Sequence, residues 1–330
     1  MLWCLVFPAP HLTTIGNITG RLCDGFLQRI AFAPPSSATY SSRDVHFVKS
    51  GDGLSRVAVW LTGPKDCKDT LENYNSLRPL ILLSHGNAED IGGVAQYCKA
   101  LAENCDCNVL TYDYVNYGQS SPGVTNETNL HASISAVYDY AVSELRARSI
   151  IVMGKSIGTA PSVFIAAERC NHIGVILVSP LASGARTLSL SVYLPANMLK
   201  ALDMVFCPSV NTIKHVTKSV LIFHGNQDKI IPVQNAYDLL SNVPSSLREQ
   251  AVFYGTAKMP VGHNDIETSR GDDFYAQVSK FTRKCVEKSG EDVYLAYDIW
   301  VVLGLFFLLQ CKKITSIVIN TMATDPKMSI

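Results

Sequence analysis

The chain has 330 residues, 47% of them hydrophobic and 17% charged, which is enough to build one large domain or two small ones around a buried core. Its 28 basic and 28 acidic residues give a formal net charge of zero, which excludes the basic field that nucleic-acid binding requires, so no nucleic-acid partner is expected. The ten cysteines form no C-x-x-C pair, so no metal site is expected, and their apolar surroundings fit reduced thiols of a cytosolic protein.

Residues 1–35 are predicted to form an N-terminal amphipathic, membrane-associating segment. One apolar stripe recurs at every fourth position and ends at two prolines: Ile18, Leu22, Phe26, Ile30, Pro34 and Pro35. Such a helix either packs on the domain or lies in a membrane interface. Cys4 and Cys23 are candidate acylation sites, and two acyl chains would give firmer membrane residence than one.

Residues 36–290 show strand-like runs alternating with helix-like stretches. A hairpin comes first, and the later runs are continuously apolar, as in strands buried on both faces of a parallel sheet. The predicted strands cover 45–48, 57–61, 79–84, 108–114, 149–153, 174–178, 219–224 and 251–254, and the last predicted helix covers 273–284. This order predicts an α/β fold, a mostly parallel, doubly wound sheet with helices on both faces.

Residues 179–218 interrupt the alternation with a strongly apolar stretch. Insertions after the carboxyl ends of strands lie over the ligand crevice of such sheets, which favours a small apolar lid. Met198, Leu199 and Leu202 are candidate residues of a groove for an acyl chain. The alternative is a helix with a purely structural role.

The sequence Gly154-Lys155-Ser156-Ile157-Gly158 lies between a predicted strand and a predicted helix. This G-x-S-x-G pattern is typical of a nucleophile elbow, in which the serine occupies a strained turn and the glycines allow close backbone approach. Ser156 is therefore the candidate nucleophile, and Gly154 and Gly158 are the elbow glycines.

A serine nucleophile requires a base and an acid, which in this arrangement follow it along the chain. Asp228 follows the predicted strand 219–224, and His263 follows the predicted strand 251–254, so both lie where catalytic side chains belong. Asp113 and Asp265 are alternatives to Asp228, but they are better suited to bracing their loops.

The oxyanion of an acyl-transfer reaction needs two hydrogen-bond donors. The main-chain N–H of Ile157, which follows the nucleophile, is one candidate. The second is expected in the loop after the predicted strand 79–84, where Asn87 is the candidate and Gly86 allows the turn.

From about Ile30 to about Lys284 the chain resembles subfamily 17 of the alpha/beta-hydrolase-domain proteins, the protein depalmitoylases. Six blocks in the same order support the resemblance: 31–35 (AFAPP), 84–90 (SHGNAED), 111–118 (TYDYVNYG), 154–159 (GKSIGT), 179–184 (SPLASG) and 262–265 (GHND). The resemblance implies the alpha/beta-hydrolase fold and a serine hydrolase, without a cofactor, that removes palmitate from S-acylated cysteines of membrane-attached proteins.

The resemblance also implies recruitment to the cytoplasmic face of a membrane through an acylated N-terminus. The chain departs from the family in two places. The family has a dense cysteine cluster where this chain has only Cys4 and Cys23, and it usually has Gln where this chain has Lys155, a substitution beside the serine that could change the substrate preference. The alternatives to a depalmitoylase are a lipid carboxylesterase or lysophospholipase with the same triad, and a non-catalytic scaffold.

Residues 291–330 form a hydrophobic C-terminal extension. The run from 293 to 311 approaches the roughly 20 residues of a membrane span. If it spanned from a cytosolic domain, Lys312 and Lys313 would lie on the far side, against the positive-inside tendency. A tether in the membrane plane, a re-entrant segment or burial against the domain is therefore favoured over a span.

Overall fold

A computed structural model describes residues 32–41, 45–50, 55–64, 74–187, 195–204, 206–249 and 251–290. The candidate acylation sites Cys4 and Cys23, most of the N-terminal segment and the extension 291–330 lie outside the described residues. Internal contacts group the described residues up to Cys285 into one compact unit. Among the described residues, no helix combines the length and the apolar character that crossing a membrane requires.

The core of the fold is one eight-stranded sheet. Its strand order is β1-β2-β4-β3-β5-β6-β7-β8, with antiparallel pairing of β1 with β2 and of β2 with β4 and parallel pairing elsewhere. The strands are β1 His46–Lys49, β2 Arg56–Thr62, β3 Leu80–Ser84, β4 Asn108–Tyr112, β5 Ile150–Lys155, β6 His172–Val178, β7 Ser219–Gly225 and β8 Val252–Tyr254. The sheet confirms the predicted mostly parallel, doubly wound α/β fold.

The helices follow the strands in alternation. They are α1 Ile91–Cys105, α2 Glu127–Ser143, α3 Thr159–Glu168, the short α4 Gly184–Thr187, α5 Ala196–Leu202, α6 Ser209–Thr212, α7 Gln234–Asn242, α8 Ile266–Ser269, and α9 over 271–290. The first two begin at side-chain caps, since Asp90 accepts from Gly93 N–H and Asn126 from Asn129 N–H. The last helix continues beyond its predicted end at 284.

The helices cover both faces of the sheet, as the fully apolar strands require. Every residue of β3, β4 and β7 is buried. One face packs against Leu101 of α1 and Phe274 of α9, and the other against Ile134 of α2 and Leu239 of α7. Burying each such side chain contributes about 1.5–3 kcal/mol, so this double layer makes the sheet a rigid support for the loops at its carboxyl edge.

The segment between β6 and β7 contains α4, α5 and α6, and a buried charge network holds its base. The Arg186 guanidinium donates to both carboxylate oxygens of Asp203 at 2.8 and 2.7 Å and to Asp238 of α7. Asp203 is almost fully buried and also accepts from Ser183 Oγ–H at 2.6 Å. This network fixes the insertion to the domain, while its role as a lid stays a prediction.

Candidate active site

Ser156 occupies a strained turn between β5 and α3. Its φ is 55°, in the left-handed region that non-glycine residues rarely adopt. A Cβ on Gly154 would lie 2.4 Å from the Gly158 carbonyl oxygen, and a Cβ on Gly158 would lie 2.2 Å from the Ser84 carbonyl oxygen. Only glycine fits at these two positions, and the turn holds the serine at the carboxyl edge of the sheet.

The structure brings Ser156, His263 and Asp228 into one hydrogen-bonded chain. Ser156 Oγ lies 2.9 Å from His263 Nε2, and His263 Nδ1 lies 2.6 Å from Asp228 Oδ2. Asp228 follows β7, and His263 follows the neighbouring strand β8. Because Nδ1–H donates to the carboxylate, Nε2 is left to accept the serine proton.

Asp228 is held as a carboxylate by several donors. Its Oδ1 accepts from the N–H groups of Ile230 at 2.9 Å and Ile231 at 2.8 Å. Burial alone would raise the pKa of the Asp228 carboxyl, but the hydrogen bonds from His224, His263 and Ile231 lower that pKa well below its ordinary value. The acid therefore stays ionised and fixes the orientation of the His263 ring.

His224 is a functional contact that sequence reasoning missed. Its Nε2 lies 2.9 Å from the Ile231 carbonyl oxygen, which only accepts, so Nε2 carries the proton. The same nitrogen lies 3.3 Å from Asp228 Oδ2. The sequence contains a signal for this contact, because His224 lies at the end of the same strand and precedes Asp228 by four residues.

The loop after β3 lies beside the nucleophile, as predicted for an oxyanion loop. A Cβ on Gly86 would be 3.9 Å from Ser156 Cβ, and the Gly86 N–H donates to Glu89 Oε2 at 2.9 Å. The Asn87 side-chain oxygen accepts from Ala33 N–H at 2.9 Å and from the Tyr117 hydroxyl at 2.7 Å. The predicted oxyanion donors are the main-chain N–H groups of Asn87 and Ile157, and this role stays a prediction.

The two alternative acids have bracing contacts, as the sequence suggested. Asp113 accepts from Ile91 N–H at 2.9 Å and from the Tyr40 hydroxyl, and it lies 3.5 Å from His85 Nε2. Burial alone would lower the pKa of His85, but the adjacent Asp113 carboxylate raises it. Asp265 accepts from Gly262 N–H at 2.9 Å and so closes the loop that carries the candidate base.

Lys155, which departs from the family pattern, is paired with an acid. Its Nζ lies 3.2 Å from Glu267 Oε1 in α8, and both side chains are largely buried. The same ammonium lies 5.5 Å from the centre of the Tyr97 ring. The sequence placed Lys155 beside the serine but gave no indication of this partner.

The candidate groove residues lie on α5 of the insertion. Met198 is 52% exposed, while Leu199 and Leu202 are partly buried. The accessible apolar side chain of Met198 is compatible with the predicted acyl-chain groove, which stays a prediction. Within the described ranges, no three His, Cys, Asp or Glu side chains are grouped as metal ligands.

Comparisons of sequence identify hydrolase relatives. A family model described as "Serine aminopeptidase, S33" matches residues 75–211. Alpha/beta hydrolase domain-containing protein 17C of Mus musculus is 36% identical over 197 residues, which are 58% of this chain and 56% of that protein. Protein 17B of Homo sapiens is 35% identical over 189 residues, 57% of this chain and 61% of that protein. The match thus spans somewhat more than half the length of these relatives.

Solved structures support the fold independently of sequence. The Pyrococcus furiosus esterase Pf2001 covers 77% of this chain and 98% of its own, with a TM-score of 0.56 at 14% identity. Est1E of Butyrivibrio proteoclasticus, determined with ferulic acid bound, covers 73% and 99%, with a TM-score of 0.57 at 19% identity. The predicted resemblance is therefore confirmed: the chain has the alpha/beta-hydrolase fold and is similar in sequence to alpha/beta hydrolase domain-containing proteins 17B and 17C.

Proposed function

We propose that the chain is a serine hydrolase that cleaves acyl thioesters and removes palmitate from S-acylated cysteines of membrane-attached proteins. The observation that carries the proposal is the unbroken hydrogen-bonded chain from Ser156 Oγ through His263 to Asp228. A serine on a strained turn, in contact with an imidazole that a carboxylate orients, is the arrangement that acyl transfer requires.

The reaction proceeds in two halves. His263 Nε2 takes the Ser156 proton as Oγ attacks the acyl carbonyl carbon. The tetrahedral intermediate then collapses to an acyl-serine ester, and the imidazolium returns the proton to the departing sulfur, which leaves as the cysteine thiol. Water attacks this ester as His263 accepts a proton from it, and the imidazolium gives that proton to Ser156 Oγ as palmitate leaves. The charge of Asp228 stabilises the imidazolium form of His263 in both halves.

Three properties of the site and its substrate support cleavage of a thioester. The main-chain N–H groups of Ile157 and Asn87 would hold the oxyanion, and losing one such donor costs about 3 kcal/mol of transition-state stabilisation. A thiolate is a good leaving group because a cysteine thiol has a pKa of about 8.5, so proton donation by His263 matters less than for an ester. The exposed apolar α5 would receive the acyl chain.

Turnover of matched substrates tests the proposal. We expect a palmitoyl-cysteine peptide to be hydrolysed faster than a phospholipid or lysophospholipid ester presented in the same micelles, and long acyl thioesters faster than short ones. Ser156→Ala is expected to show no turnover, and Ser143→Ala, at an exposed serine of α2, to match the wild type. Turnover of the lipid esters alone would favour the lipid esterase, and equal fluorophosphonate labelling of wild type and Ser156→Ala would favour the scaffold.

Membrane-attached substrates require the active site to face a lipid surface, at the cytoplasmic face of a membrane. Exposed apolar side chains rim the carboxyl edge of the sheet: Met198 is 52%, Ile230 59% and Met259 58% exposed. Exposed lysines adjoin them at Lys229 and Lys258. Apolar side chains beside basic ones are suited to an anionic lipid surface, because the former enter the interface and the latter meet the headgroups.

Replacement of one such apolar–basic pair tests this orientation. We expect the double variant Met259→Ser/Lys258→Gln to raise the apparent KM for a palmitoyl peptide in phosphatidylserine-containing vesicles several-fold, without changing turnover of a soluble short-chain thioester. Leu77→Ser is the matched control, because Leu77 is 80% exposed but precedes β3, at the opposite edge of the sheet. An equal effect of both variants on vesicle-bound substrate would contradict the proposed orientation.

A further inference from the structure

A buried ion pair lies immediately behind the elbow. Lys155 ends β5 and directly precedes Ser156, and Glu267 lies in α8, four residues after His263. Their charged atoms are 3.2 Å apart, and the side chains are 13% and 10% exposed. The pair therefore joins the segment that carries the nucleophile to the segment that carries the base.

We propose that Lys155 and Glu267 are positioning residues, whose ion pair sets the distance between Ser156 and His263 and keeps the charge behind the catalytic imidazole balanced. The inference rests on the proposed function, since it concerns the same serine and histidine. It assigns a role to Lys155, a residue of the G-x-S-x-G pattern that takes no direct part in substrate binding or proton transfer.

Because Lys155 and Glu267 are largely buried, each charge requires the other as a partner. The Lys155 ammonium lies over the Tyr97 ring of α1, and the α8 backbone that carries Glu267 is tied back to Asp265, since Ser269 N–H donates to the Asp265 carbonyl oxygen at 2.8 Å. A charge this far from water is costly unless it has a partner. Loss of either member therefore leaves a net charge beside the site, where water screens it less than at the surface.

Three ionisable groups on the neighbouring helices stay neutral. Tyr97 and Cys98 of α1 and Tyr275 of α9 have pKa values raised by burial, that of Tyr275 to about 12, so they are neutral in an assay between pH 5 and 9. Asp228 contacts His263 Nδ1 at 2.6 Å, and Asp265 and Glu267 follow His263 along the chain by two and four residues. His224 Nε2 lies 3.3 Å from Asp228 Oδ2, and Glu89 accepts from the Gly86 N–H in the loop after β3. The single and double variants that test the ion pair change only Lys155 and Glu267.

The two single variants have opposite expected effects on the pH profile. Glu267→Gln leaves a positive charge that disfavours the imidazolium, so the acid limb of kcat/KM is expected to move to lower pH. Lys155→Met leaves a negative charge that favours the imidazolium, so the same limb is expected to move to higher pH. A displacement of about half a pH unit or more is expected for each.

The double variant Lys155→Met/Glu267→Gln separates charge balance from positioning. This variant carries no unpaired charge, so the acid limb of its kcat/KM profile is expected to return to the wild-type pH. It still lacks the ion pair between the two segments, so fluorophosphonate labelling of Ser156 is expected to stay about ten-fold slower than in the wild type. The charge swap Lys155→Glu/Glu267→Lys restores a pair and is expected to recover part of the labelling rate. Lys284→Met, at the exposed pair Lys284–Glu249, is the matched control and is expected to change neither readout.

The outcomes separate this inference from the proposed function. Equal labelling of wild type and Ser156→Ala would overturn the function itself. If labelling depends on Ser156 but the acid limb of kcat/KM is unchanged in both single variants, the inference is wrong and the proposed function stands. If the single variants do not fold, the neutral double variant and the charge swap carry the test, and labelling of the neutral double variant at the wild-type rate would overturn the positioning role.

Discussion

Replacing Asp228 by asparagine is expected to lower kcat by about 10⁴-fold while leaving the fold intact. An amide in place of the carboxylate can donate to His263 Nδ1, which then presents a proton at Nε2 and cannot accept one from Ser156. The imidazolium formed during attack would also lose the negative charge 2.6 Å away. Single-turnover acylation by a thioester substrate measures the effect.

The matched control is Asp265→Asn, in the same set of loops. Asp265 caps the Gly262 N–H and does not contact His263 in the hydrogen-bonded chain, so its loss is expected to reduce kcat by no more than about ten-fold. Comparable losses for Asp228→Asn and Asp265→Asn would mean that Asp228 only braces its loop. In that case the base of this site would not depend on an oriented tautomer.

The pH dependence of stability gives an independent check on Asp228. Its pKa is lower in the folded protein than in the unfolded chain, so its charge stabilises the fold above pH of about 4 and this contribution is lost as the pH falls toward the folded pKa. The wild type is therefore expected to lose more stability than Asp228→Asn between pH 7 and pH 3. Urea unfolding at both pH values measures this difference.

The sequence predicted the sheet and the triad because both depend on local signals. Continuously apolar runs predicted buried strands, and the strand-end positions of Asp228 and His263 follow from the strands alone. The partner of Lys155 was not predictable in the same way. Glu267 lies 112 residues after Lys155, and only the tertiary fold brings α8 close enough to the end of β5 for the two charges to meet.

The oxyanion loop also combines a position that the local sequence predicted with contacts that it did not predict. The motif after β3 predicted that Asn87 would lie near the nucleophile, and the approach of Gly86 to Ser156 agrees with that location. The motif did not predict that the Asn87 side chain would bind Ala33 and Tyr117, since those contacts depend on how the segment before β1 and the loop after β4 pack. Local sequence patterns therefore predict where the reactive groups lie, whereas the contacts that hold those groups depend on packing between segments that are distant in sequence.

Replacing Gly158 by alanine is expected to destabilise the domain by about 3 kcal/mol or more, with a fall in Tm of roughly 6–12 °C for a domain of this size. An added Cβ would lie 2.2 Å from the Ser84 carbonyl oxygen and 2.6 Å from that of His85. Both atoms belong to the backbone at the end of β3, so no side-chain rotation relieves the clash. The elbow would have to move away from the central strand, and Ser156 labelling would be lost along with stability.

Gly93→Ala is the matched control for this substitution. Gly93 lies in the first turn of α1, is exposed, and an added Cβ would meet Asp90 Oδ1 at 3.6 Å, an ordinary contact. Alanine favours a helix over glycine by up to about 1 kcal/mol, so this variant is expected to match or exceed the wild-type Tm. An unchanged Tm and labelling rate for Gly158→Ala would show that the elbow tolerates a wider separation from β3. Such a result would contradict the conclusion that only glycine fits at position 158.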